Sequence, residues 1–123
     1  MQKLAMIALF TATLAMAADV SGNWSGTITP ETGEGPQPLY LVLHQSGDQL
    51  TGTGGPSAAE QHPMQNGRVQ GDRLTFEVSA GKGTFVFDLK MTGDEIRGDL
   101  QIKDDQQTIG TKVSLKRMAA LGK

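Results

Sequence analysis

The 123-residue sequence has no cysteine. That absence excludes a disulfide framework, a thiolate nucleophile, a cysteine zinc site and a lipid-anchored N-terminal cysteine. Aromatic residues are few, with one Trp, one Tyr and four Phe. The two histidines, His44 and His62, form neither a His-X-His nor a His-X3-His pair, so no metal site is expected. Charge of one sign is lacking too. Eleven basic side chains stand against thirteen acidic ones, for a net charge of -2. That balance argues against a nucleic-acid or polyanion surface. A sustained helical period is missing as well. Glycine is abundant: its 16 residues are about twice the usual share. They follow no Gly-X-Y period, which excludes collagen.

The N-terminal stretch differs from the rest. Met1-Gln2-Lys3 carries one positive charge, and Leu4 to Leu14 is apolar apart from two Thr. Ala15-Met16-Ala17 places small residues where a signal peptidase reads them. Residues 1–17 therefore read as a secretory signal peptide cleaved near Ala17, and residues 18–123 as one domain. The apolar run is shorter than the roughly 20 residues of a spanning helix. No second such run follows, so no membrane span is expected and the location is periplasmic or extracellular. Cleavage removes Lys3 alone, leaving 10 basic and 13 acidic side chains and a mild charge of -3.

Beyond residue 17 the apolar residues alternate with polar ones. Leu74, Phe76 and Val78 alternate with Thr75, Glu77 and Ser79. Ile96, Gly98, Leu100 and Ile102 alternate with Arg97, Asp99, Gln101 and Lys103. A period of two with one apolar face is the mark of antiparallel strands. The spacing predicts eight of them, near 21–30, 38–46, 49–54, 63–70, 72–80, 83–91, 95–103 and 108–117. Gly47-Asp48-Gln49-Leu50-Thr51-Gly52 recurs at Gly71-Asp72-Arg73-Leu74 and at Gly93-Asp94-Glu95-Ile96. Each Gly-Asp pair reads as a tight hairpin turn. Short connections favour neighbour pairing, and closure removes both exposed edges. The expected fold is all-β: an eight-stranded antiparallel up-and-down barrel.

The turns sort by end. The three Gly-Asp turns fall at one, tight end. The other end carries longer connections, above all 31–37 and 55–62, both rich in Gly and Pro. Loops on a rigid scaffold are where binding residues concentrate.

Gly22-Asn23-Trp24 on the first strand, and Leu50-Thr51-Gly52-Thr53 further on, resemble the calycin group of lipocalins and avidins. The resemblance implies a barrel closed at its base by a basic residue packed over the Trp. Arg117 shares the inward parity of Val113 and Leu115, so a Trp24–Arg117 cation–π contact is implied, with Gly22 beside it. The chain departs from the group in being short and in lacking a disulfide. Trp24 is its only Trp, so the aromatic box of an avidin biotin site is absent.

No catalytic constellation stands out. Ser57 follows Gly55-Pro56 rather than sitting in a Gly-X-Ser-X-Gly elbow. Glu31 and Glu34 lie on no rigid strand, and a catalytic acid pair needs fixed separation. Asp104-Asp105 lacks the spaced oxygens of a calcium loop. His44 shares the outward parity of Tyr40 and Val42; His62 falls in the longer connection. The interior is either filled or hollow: bulky inward residues nearly fill it, whereas Gly26, Gly52, Gly54 and Gly98 leave space or let strands coil. The expected function is a non-enzymatic binding domain without a cofactor, holding a small apolar ligand at the mouth. Tyr40, His62, Met64, Phe76 and Phe85 are the candidate contacts. The alternative is a protein- or carbohydrate-interaction module, such as an inhibitor, acting through the 31–37 and 55–62 loops with a filled barrel. The chain is expected to be a monomer or weak dimer, with outward Tyr40, Val42 and Val86 as part of a dimer or partner face.

Overall fold

The computed structural model of the protein describes residues 19–81 and 83–118. The expected signal peptide and its cleavage point lie outside that range. Eight strands follow one another: β1 (Gly22–Pro30), β2 (Gln37–Ser46), β3 (Gln49–Ser57), β4 (Glu60–Gln70), β5 (Arg73–Ala80), β6 (Gly83–Thr92), β7 (Glu95–Lys103) and β8 (Thr108–Arg117). Each pairs antiparallel with the next, and β8 pairs with β1, from Trp24 opposite Arg117 to Pro30 opposite Thr111. The sheet is a closed up-and-down barrel, as the alternation predicts. No described residue is helical, so among the described residues no helix is long and apolar enough to cross a membrane.

Alternation sets the inside. On β5 Leu74, Phe76 and Val78 are buried; on β8 Thr111, Val113 and Leu115 are. Phe76 and Phe87, opposite each other on β5 and β6, stack with centroids 4.5 Å apart and rings inclined by 20°. Val20, which lies before the first expected strand, joins the core, as do Leu39 and Met91 at the inward parity of their strands, while Phe85 and Ile102 are only half-buried.

The three Gly-Asp turns are built alike. Gly47, Gly71 and Gly93 have φ of 63°, 64° and 63°. Glycine occupies this left-handed region without steric cost, which is what the first central position of a hairpin turn requires. Each turn also reaches past its own hairpin. The carbonyls of Asp48, Asp72 and Asp94 accept from the N–H groups of Val69, Met91 and Arg117, at 2.9, 2.8 and 2.9 Å. The sequence repeat is therefore a structural repeat, in which every turn is tied to the strand that follows its hairpin.

One expected connection is corrected. Residues 55–62 are not a long loop: β3 runs on through Ser57 and β4 begins at Glu60, leaving only Ala58 and Ala59 between them. The β3–β4 register shifts between Leu50 and Thr53, and again between Gly54 and Ser57. Such bulges let Pro56 sit in a strand without breaking a regular ladder. A Cβ on Gly55 would stand 1.9 Å from the Glu60 carbonyl oxygen, so only glycine permits the two strands to meet there. The other long connection is real, spanning residues 31–36.

Candidate functional site

The two barrel ends differ physically. At the tight end, residues 19–21 cross the base. The Trp24 side chain is fully buried beneath them, and its Nε1–H donates to the Val20 carbonyl at 2.9 Å. Val20 N–H donates to Gln45 Oε1 at 3.0 Å, and Gln45 N–H donates to Ser21 Oγ at 2.9 Å. The Arg117 guanidinium carbon lies 4.4 Å from the Trp24 ring centroid. Arg117 also donates to the Ser21 and Asp19 carbonyls at 2.8 and 3.1 Å and to Asp94 Oδ1 at 3.1 Å. Gly22 leaves room for it: a Cβ there would lie 3.1 Å from Arg117 Nη1. The Ser21 N–H donates to Asp19 Oδ1, which holds the Asp19 carboxyl below its ordinary range. Trp24, Arg117 and Gly22 thus seal the base.

At the open end the core stops short. A cavity of about 240 Å³ opens there between β1, β2, β3, β4, β5, β6 and β7. Ile28, Leu39, Val78, Phe85, Phe87 and Leu100 supply its apolar walls, and Ala80 stands at the rim. Gly54 leaves one wall open: a Cβ there would meet Leu41 Cδ2 at 2.8 Å and Val78 Cγ2 at 3.7 Å. Gly26, Gly52 and Gly98, which share its parity, instead lie against the backbone oxygens of Ser114, Val42 and Asp88. Their role is close strand approach, and they add no interior space. The base is filled and the mouth is hollow.

The polar edge of the cavity is small. Glu60 and His62, two residues apart and so on one face of β4, both line it. His62 Nε2 lies 3.6 Å from Glu60 Oε2, with the side chains 34 % and 64 % exposed. That distance is too long for a hydrogen bond. The intervening Gln61 fastens the hairpin. Its Nε2 donates to the carbonyls of Tyr40 and Ser57, at 3.2 and 2.9 Å, and its Oε1 accepts from Thr53 Oγ1 at 2.7 Å.

Of the candidate contacts, His62 and Phe85 line the cavity. Phe76 is buried in the stack with Phe87, and Met64 packs half-buried against the core opposite Val78. Tyr40 is half-buried on the outer face of β2 opposite Ser25 and Gly55, and His44 is exposed on that face. Val86, on β6, is separated from Tyr40 and Val42 by three strands in either direction, so the three do not form one patch. Sequence reading missed Ile28, Val78, Phe87, Leu100 and Ala80 as lining residues. Their inward parity is visible in the sequence, but parity does not say at which level packing stops.

The outer wall carries paired charges. Arg73 Nε and Nη2 donate to Asp88 Oδ1 and Oδ2 at 2.9 and 2.7 Å. This forked bond holds the Asp88 carboxyl below its ordinary range and raises Arg73 above its own. Lys112 Nζ donates to Asp99 Oδ1 at 2.6 Å, which raises Lys112. Asp88 and Asp99 face each other across β6 and β7. Like charges so placed repel, and each is offset by its cation on the far side. Among the described residues no three His, Asp or Glu side chains converge where they could hold a metal ion. Comparisons with protein-family models, curated proteins and solved structures find no match for the chain.

Proposed function

We propose that the protein is a secreted or periplasmic, non-enzymatic binding domain of calycin-like build that holds a small apolar ligand in its mouth. The observation that carries this reading is the apolar cavity of about 240 Å³ above a sealed base. A dry cavity of roughly 150 Å³ takes up benzene, so this one has room for a phenyl ring and a short chain. It is smaller than the roughly 300–1,000 Å³ of drug-sized sites. The ligand class is therefore a fragment, or one end of a longer molecule. The calycin-like assignment is supported by Gly22-Asn23-Trp24, the eight-strand order and the Trp24–Arg117 contact.

The test is a titration with 3-phenylpropan-1-ol followed by amide chemical shifts. Binding with Kd on the order of 1 mM is expected for a ligand of that size. Shifts should concentrate at Val78, Ala80, Phe85 and Leu100. Ala80→Phe, which places a ring in the rim, should abolish them while leaving the rest of the spectrum in place. Absence of saturable shifts, or shifts unaffected by Ala80→Phe, would overturn the reading.

A further inference from the structure

We infer that the mouth cavity prefers apolar molecules carrying a cationic head, such as aryl-alkyl ammonium ions, with the Glu60 carboxylate as the head-group contact. This rests on the proposed ligand cavity and names the class of ligand it takes. Three observations support it. The walls are apolar, so the ligand body is apolar. Glu60 is the single carboxylate among the cavity-lining residues, and its oxygens receive no hydrogen bond from the described residues; only His62 approaches, at 3.6 Å. The charges of the molecule are also segregated by end. Every Lys or Arg ion pair among the described residues sits on the outer wall or at the tight end: Arg73–Asp88, Lys90–Asp72, Arg97–Glu95, Lys112–Asp99 and Arg117–Asp94. The strand ends and connections at the mouth carry Glu31, Glu34, Glu60, Asp104 and Asp105 against Lys103, and Lys82 follows Gly81 in the sequence. None of these five acids forms a Lys or Arg ion pair within 4 Å among the described residues, although the charge of Glu31 contributes to raising Lys112.

Unpaired carboxylates around an apolar opening set a negative potential across it, because the low-dielectric walls focus their field. An ammonium group entering there gains attraction without losing a built-in partner, and a carboxylate head is repelled. Asp104 Oδ1 accepts from the N–H groups of Gln106 and Gln107 at 2.8 and 2.9 Å, which fixes that carboxylate in place and leaves its charge in the field. Glu60, on the rim itself, is the group within reach of a head whose body fills the cavity.

The experiment compares three probes with one body: 3-phenylpropylamine, 3-phenylpropan-1-ol and 3-phenylpropanoate, titrated at pH 7.5 and low salt. The expected order of affinity is ammonium, alcohol, carboxylate, with about two- to fivefold between neighbours, the range of an exposed charge pair. Glu60→Gln should shrink the ammonium-to-carboxylate ratio, and 0.5 M salt should shrink it as well. Equal affinities, or a carboxylate preference, would overturn the charge inference and leave the cavity reading standing. A ratio unmoved by Glu60→Gln would overturn the assignment of Glu60. Failure of all three probes to bind would overturn the cavity reading and this inference together.

Discussion

Trp24 concentrates more of the base into one side chain than any other residue. It is fully buried, hydrogen-bonded through its only donor and covered by a guanidinium. Trp24→Ala should cost about 3–5 kcal/mol in a urea titration, the range for emptying a large aromatic site; a loss below about 1 kcal/mol would contradict a Trp-sealed base. Arg117→Ala removes the ring contact and two bonds to the crossing segment, and should cost about 1–3 kcal/mol. Thr111 runs the opposite way. It is 2 % exposed on the inner face of β8, and its hydroxyl has no hydrogen-bond partner among the described residues. A buried polar group without a partner retains its desolvation cost. Thr111→Val keeps the shape and removes that group, so its urea midpoint should equal or exceed the parent's. A loss of more than 1 kcal/mol would show that the hydroxyl is bonded after all.

At the scale of elements, the strands were largely legible because inward and outward residues alternate without interruption on β5, β7 and β8. The Gly-Asp turns were legible because glycine at a left-handed position is a chemical requirement. The β3–β4 hairpin was not. Its residues 54–59, Gly-Gly-Pro-Ser-Ala-Ala, carry no alternation and read as loop chemistry. The strand persists because bulges absorb the proline and because Gly55 lets the Glu60 carbonyl come close. Gly55→Ala should therefore destabilise by about 1–3 kcal/mol through overpacking. Gly35→Ala, in the 31–36 connection with nothing within 4 Å of the added methyl, should change stability by less than about 0.5 kcal/mol. Similar losses for the two variants, read from thermal midpoints, would contradict the close-approach account. The same hairpin carries Glu60 and His62, so misreading it as a loop hid that the two share one strand face.

For the whole molecule, closure replaces the missing disulfide: β8 on β1 leaves no free edge. Sequence parity said which residues point inward but not where the filling ends. That level is set by Gly54 and by small Ala80 near the mouth, against Trp24, Phe76 and several Leu lower down. The candidate site was therefore legible as an end of the barrel, and not as a set of walls. The outer ion pairs give the molecule an acid limb. Asp88 is held below its ordinary range, so the stability it contributes is present above about pH 4 and is lost as pH falls through its lowered folded value. Both partners are about half exposed, so the effect is modest. Asp88→Asn should accordingly lose less thermal stability than the parent between pH 5 and pH 3; an unchanged acid limb would contradict the role of the Arg73 fork. The central claim is that the mouth, and no other part of the barrel, receives the ligand. Intermolecular nuclear Overhauser effects from the ring protons of bound 3-phenylpropylamine test it most directly. The account predicts contacts to the Val78 methyls, the Ala80 methyl and the Phe85 and Phe87 rings. Contacts to Trp24 at the base or to Tyr40 on the outer wall, with none to those residues, would contradict it.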